Sequence, residues 1–588
     1  MRTNMKIAAA AGPALAVLLG VGSMASAVPL SSRPTGPGIH YFGYFASAFE
    51  GVGDPMDGCP SGDYTGCVAD HANITSIAAS TPAETARRLA EAQQLGMGAI
   101  VDAGSIFFIG GANTQPNCTN WKSAWDAFAS AIKPYANTIV GFYLVDEPPA
   151  GTMNGICAKP GGDGKNIIAD EVSAISHDFP SAHKMLVFEA RLTLDDDSWT
   201  IPNGVDWVGY DCYPGTFGQC YDASPGWKSV PYYLGRLKSI IRKSNLAYKP
   251  GLVLLPQGYL GAADGSPTNQ SALLARVERE VSMVENDPDF VMIMPFTWQG
   301  VGALPMARSY YTGLGKHLTT TTMPMRPAFP TATAASNVTP GGDLVNAFDG
   351  NDATAWNSGG YQPQWISASF ADPLVISNFS LTAEQSPAGL VRHIFSGKRL
   401  DGTSTTLDQY TGQLADDQTL SSGAAAPAGG LSSLTITTDI SPSWVAWREF
   451  ALRTTGTTRV YGYSIGPSDG TGSNRAQNAY DGDPSTVWIP PASAPPAAAP
   501  SLTLDLGQVQ TLSRIEVIVY RNGTSGTETH SISAGPTTGN LTLRGSATTT
   551  TDGQKLAFVG PFTNVRYVKI SAPATTFSIG WREINLYR

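Results

Sequence analysis

Two textures of hydrophobic patterning divide the chain. Up to about residue 322, short apolar runs alternate with longer stretches in which apolar residues recur every three to four positions, the spacing of a helix face. The strand-like runs are residues 39–45, 71–77, 98–103, 139–146, 184–189, 205–211, 252–257 and 290–297. Between them lie helical stretches such as PAETARRLAEAQQLG, WKSAWDAFASAIKPYA, YYLGRLKSIIRKS and SALLARVEREVSMVEN. Eight strand signals alternating with helices predict a (β/α)8 TIM barrel over residues 28–325. A doubly wound open sheet is the alternative, but no glycine-rich phosphate loop follows the first strand.

Past residues 322–332 the helical spacing vanishes, Thr, Ser and Gly dominate, and period-two segments such as QWISASF, SLTLDLG, IEVIVY and VRYVKIS take over. NAFDGNDATAW at 346–356 returns as NAYDGDPSTVW at 478–488, and Trp447-Arg448-Glu449 returns as Trp581-Arg582-Glu583. Two homologous all-β units follow, over residues 331–455 and 460–588. The succession of Asp-Gly turn, Trp, a strand ending near LDLG and a closing Trp-Arg-Glu strand resembles the discoidin, or coagulation-factor type C, domains. In the first copy SASFADP stands where Asp-Leu-Gly is usual. That resemblance implies two jelly-roll sandwiches that bind carbohydrate. It also implies a structural Ca²⁺ in each, held by Asp349, Thr354 and Glu449 in the first and by Asp481, Asp483, Thr486 and Glu583 in the second, a set of hard oxygen ligands.

Composition narrows the setting. A basic start, an apolar stretch from Ile7 to about Met24 and Ala25-Ser26-Ala27 have the order of a cleavable secretory signal over residues 1–27. Its removal takes the formal charge from −10 to −12, which makes nucleic acid and anionic membrane poor partners. Six cysteines, an even number in an exported chain, read as disulfides, with Cys59–Cys67, Cys118–Cys157 and Cys212–Cys220 the most local pairing. A zinc site lacks the close Cys spacing it needs, and no HExxH run supports a metalloprotease. A secreted monomer with a glycan partner and no catalytic cofactor is expected.

In a barrel the chemistry sits where strands end, so the strand-terminal polar residues are the candidates. They are Asp102, Asp146, Glu147, Glu189, Asp211 with Tyr210 and Tyr213, Gln257 and Trp298. IVGFYLVDEPP delivers Asp146-Glu147-Pro148 from a wholly apolar fourth strand, and it resembles the acid/base motif of the TIM-barrel glycosidase superfamily, where Asn-Glu-Pro is commoner. The resemblance implies that Glu147 is the general acid/base. The same superfamily has a nucleophilic Glu at the seventh strand, where this chain has Gln257, an amide that cannot attack. Asp211 is therefore expected as the second carboxylate, with Glu189 next. A second resemblance, to the chitinase and hexosaminidase type, would give Asp146 and Tyr210-Asp211 roles around a sugar's acetamido group and make Trp298 the floor. Trp298, Tyr213, Tyr210, Gln257 and Asp102 are the expected substrate contacts. A secreted protein that only binds glycan is the reading from a different class, with Gln257 its main support.

Overall fold

The computed structural model describes residues 38–49, 64–109, 115–149, 153, 166–196, 198–213, 228–261, 265–320, 323–423, 429–465, 475–490, 499–522, 526–573 and 579–588. The signal segment and Cys59, Cys157 and Cys220 lie outside these residues.

Within the first unit a parallel sheet runs in the order Tyr41–Phe42, Phe290–Ile293, Gly251–Leu255, Trp207–Asp211, His183–Glu189, Ile139–Asp146, Gly98–Asp102, Ile74–Ala78, Ala48–Phe49. The strands at the two ends of that list, Tyr41–Phe42 and Ala48–Phe49, are only five residues apart in the chain, so the sheet comes back on itself and is barrel-like. Its interior is filled by alternate residues of each strand, including Ile74, Ile100, Val140, Met185, Val187, Trp207, Val253, Leu255 and Met292.

Helices cover the outside and start where the sequence signals them. Thr81, Ser229 and Ser266 cap Pro82–Gln94, Val230–Lys243 and Pro267–Val284, each with a proline in the first turn. After the fifth strand, among the described residues, there is only the short helix Ala190–Leu194. A last helix, Pro305–Thr319, follows the eighth strand.

The repeat is visible as topology. In the first β unit the path is Arg326–Ala328, Ala446–Thr457, Gln364–Glu384, Leu431–Ile440, Gly389–Lys398, Ser404–Leu414. In the second it is Arg459–Val460, Ile579–Tyr587, Ser501–Arg521, Lys555–Ser571, Glu528–Thr537, Asn540–Thr549, the same order. Each unit pairs its two repeated tryptophans, Trp356 with Trp447 (ring centroids 4.8 Å) and Trp488 with Trp581 (5.0 Å). All four are buried, which is why the repeat retained them as a core signature.

Residues 326–328 look like linker in the sequence, yet Arg326 pairs with Thr454 in the closing strand of the first β unit. Arg326 is buried and grips the barrel: its guanidinium lies 2.8 Å from Glu278 and 2.8 Å from Glu285. Asn286 donates to the carbonyls of Thr457 and Arg459, and Ser229 donates to that of Asp481 at 2.6 Å. Between the two β units Arg459 bridges Asp372 (3.0 Å) and Glu583 (3.3 Å). The three units are thus joined through buried polar groups rather than strung on a free linker.

Candidate functional site at the barrel mouth

Strand alternation decides which terminal residues face inward. Ile100, Val187 and Leu255 point into the barrel, so Asp102, Glu189 and Gln257, two residues on, stand on the same face one layer nearer the mouth, and Asp211 joins them two pairs after Trp207. Glu189 and Asp211 are register partners on adjacent strands. The fourth strand carries an irregularity between Tyr143 and Asp146, and the Tyr143 hydroxyl donates to Asp146 Oδ1 at 2.5 Å. Glu147 follows with φ of +42°, a left-handed conformation uncommon for a residue with a side chain. Such strain persists only where the surroundings fix it, and it collects at functional sites.

The Glu147 and Asp211 carboxyls are in hydrogen-bonding contact. Burial pushes both above the ordinary carboxylate range, and the charges of Asp146 and Glu189 add to the rise at Glu147. The pair therefore keeps a shared proton where two separate carboxyls would have lost both. Burial raises Asp102 to about 6, against the lowering effect of the Gly104 N–H it accepts at 2.8 Å. Asp146 is also raised by burial. A cleft of about 680 Å³ opens beside these acids, lined by Phe45, Asp146, Tyr259, Phe296 and Leu304 among others.

Several expected contacts are placed elsewhere. Trp298 is 5 % exposed, wedged against Tyr44 (4.8 Å) and His71 (5.7 Å), so its faces are occupied by protein and it floors no sugar site. Tyr210 has the opposite strand parity from Asp211; its hydroxyl is spent on the Val230 carbonyl behind the sheet at 2.8 Å. Gln257 is buried and donates to the Tyr259 carbonyl at 2.6 Å, bracing that loop. Tyr213 is buried but stacks on Phe296 at 5.3 Å under the cleft. The aromatic floor is thus built from Phe296, Tyr259 and Phe45. Phe296 was open to detection as the strand residue in phase with Met292 and Met294; nothing local marked Tyr143.

Cys67, Cys118 and Cys212 are disulfide-bonded. The cysteines expected to pair with them lie outside the described residues.

Each Asp-Gly turn brings its expected metal ligands together. Thr354 donates to Asp349 at 2.7 Å and Glu449 accepts from the Gly350 N–H at 2.8 Å; Thr486, Asp481, Glu583 and Gly482 repeat the pattern at 2.9 Å. Asp483 Oδ1 accepts from the Ser485 N–H at 2.8 Å, as Asp349 and Asp481 accept from the N–H groups of Asn351 and Asp483 at 2.9 Å. Among the described residues no three His, Cys, Asp or Glu side chains form a metal-holding group, so a cation here would rest on two carboxylates, a threonine hydroxyl and backbone carbonyls.

The first β unit exposes aromatics at the end where its closing strand begins. Tyr361 is 64 % exposed and Trp444 47 %, on loops joined by the Val445 N–H to Gly360 carbonyl bond of 3.1 Å. Large exposed aromatics gathered at one end are unusual on a surface with nothing to bind. Of two overlapping GxSxG spellings, at 462–466 and 466–470, the first has Ser464 buried in a short strand with its hydroxyl 3.0 Å from Tyr480, and is no nucleophile elbow; Ser468 lies outside the described residues.

Residues 464–585 match the family model of the F5/8 type C domain, and the C-terminal unit is such a domain. No curated protein matches the chain. Among solved structures, the family 32 carbohydrate-binding module of C. perfringens NanJ, in complex with galactose, shares 14% identity over 21% of this chain and 92% of its own, TM-score 0.19. The CBM32 of AlyQ, bound to 4,5-unsaturated mannuronic acid, shares 26% over 22% and 95%, TM-score 0.18. The CBM32-1, CBM32-2 and M60 catalytic domains of Clostridium perfringens ZmpB share 12% over 44% and 37%, TM-score 0.18.

Proposed function

We propose that this chain is a secreted, glycan-binding hydrolase of O-glycosidic bonds, whose β units hold the polysaccharide and whose barrel cleaves it. The observation that carries the hydrolytic part is the Glu147–Asp211 pair, two carboxyls in contact beside an aromatic cleft that the neighbouring Asp146 lines. Glycoside hydrolysis needs a carboxyl that is still protonated near neutral pH to donate to the leaving oxygen. Glu147, the more exposed of the two, donates; Asp211 behind it holds and returns the proton. Carboxyls in contact leave no room for a sugar ring, since an acid and its opposing carboxylate stand about 5 Å or more apart. Asp211 therefore acts on Glu147 rather than across the substrate, and Glu189 is the remaining candidate for the opposing role.

The same contact favours one second reading, substrate-assisted cleavage of N-acetylated glycans, in which the sugar's own acetamido group attacks. Both are tested by reducing-end release from a broad polysaccharide panel. Glu147→Gln should lower turnover by roughly 10² to 10⁴ with binding kept. Loss of activity in Glu189→Gln supports the protein carboxylate, whereas activity confined to N-acetylated glycans and indifferent to Glu189→Gln supports assistance. A wild type that cleaves nothing overturns the hydrolase reading and leaves glycan binding.

A further inference from the structure

The first β unit is docked in a fixed direction relative to the barrel mouth. Leu304 lines the mouth cleft and immediately precedes helix Pro305–Thr319, which runs from the mouth toward the barrel base. Met306 and Ser309, in its first turns, share a cavity with Asp349, Gly350 and Glu449 of the β unit. Two turns lower, Gly313 lies against Pro327 and Arg453. At the base, the carboxylate of Glu285, which follows helix Pro267–Val284, accepts from the Thr457 N–H. Strand Ala446–Thr457 thus descends alongside both helices, from mouth to base.

Its start must then point to the mouth side, and Trp444 and Tyr361 stand beyond that start. Trp444 precedes Glu449 by five residues of extended chain, about 17 Å at ~3.3 Å per residue. Ser309 lies four helical residues below Pro305, about 6 Å. The aromatic end therefore rises roughly 10 Å above the lip of the cleft, on the same side.

Resting on the proposed function, we infer that the aromatic end of the first β unit and the barrel cleft engage one and the same glycan chain, so that the ligand is an extended, non-anionic polysaccharide. Length follows from the two contact zones facing one way on a rigid body. The absence of negative charge follows from the mouth: Asp146, Glu147 and Asp211 are gathered there, and among the described residues no Lys or Arg forms an ion pair with them. A polyuronate would meet repulsion at the mouth.

The test uses the full chain carrying Glu147→Gln, so that nothing is consumed, and calorimetric titration with graded oligomers of galactan, xylan and mannan beside oligogalacturonate. Affinity should rise once oligomers are long enough to reach both zones. Tyr361→Ala with Trp444→Ala, both exposed and harmless to the core, should erase that gain by roughly 10² while short-oligomer binding stays. Long-chain affinity that survives the double variant overturns the shared-chain inference while the mouth still binds sugar. Preference for oligogalacturonate overturns the non-anionic class. Binding of no oligomer by any form refutes the proposed function itself, a separate outcome.

Discussion

At the scale of single residues, the mouth stores free energy in carboxyls that would rather be neutral. Asp102 has a folded pKa of about 6 against an ordinary value near 4, so the native state holds a proton that the unfolded chain has released. Its stabilising protonation is complete below the ordinary value and is lost as pH rises through about 6. Asp102→Asn keeps the acceptor for the Gly104 N–H and removes the charge. It should raise the melting temperature at neutral pH by on the order of 2–4 °C and flatten its pH dependence between about 4 and 6. Scanning calorimetry of the two proteins across that range checks this; a melting point that falls would show the charge to be compensated. If Asp102 touches substrate, the same variant also loses activity.

At the scale of elements, the two Asp-Gly turns gather buried carboxyls on which a cation would act. Burial raises Glu449 to about 8, with Asp349 and Asp352 adding to it, and Glu583 to about 7 despite Arg459. Both carboxyls are raised, so without metal their contribution to stability falls as pH climbs from the ordinary carboxylate range through those values. A bound Ca²⁺ reverses this by favouring the ionised form. Calcium should therefore raise the melting temperature more at about pH 8 than at about pH 5, read by calorimetry with and without chelator. An unchanged melting point at both would leave the turns held by hydrogen bonds alone. The residues of both turns were legible from the repeat, whereas the hydrogen bonds that each carboxylate makes to its turn were not.

At the scale of the whole molecule, the seams matter as much as the units. Arg326 is buried between Glu278 and Glu285, with the Tyr310 hydroxyl also on Glu278 at 2.9 Å. Arg326→Met leaves Glu278 buried without its cation and should cost about 3–5 kcal/mol, with Glu278→Gln in the same chain recovering part of it. Thermal unfolding should show the barrel and first β unit melting together in the wild type. A single, unshifted transition in Arg326→Met would mean that the ion pair is dispensable. A fragment beginning at residue 331 lacks strand Arg326–Ala328 and should melt lower than one beginning at residue 323, a comparison that locates the seam directly.

Periodicity by itself determined the elements: the period-two and three-to-four patterns gave eight barrel strands in order, and Ile139–Asp146 appears with the bounds its apolar run implied. The internal repeat fixed the two β units and their shared strand order, since homologous sequence buries homologous faces. Strand parity even carried the inward set Asp102, Glu189, Asp211 and Gln257. Tertiary structure alone decided which carboxyls touch, because the Glu147–Asp211 contact joins strands far apart in the chain and depends on the irregularity after Tyr143 and the left-handed Glu147. It also decided which aromatics are free: Trp298 has the composition of a sugar platform, but Tyr44 and His71 cover it, whereas Tyr361 and Trp444 are left bare by the end of a strand. A residue's type records what it can bind, and only packing sets whether a partner from the same chain has already taken the place.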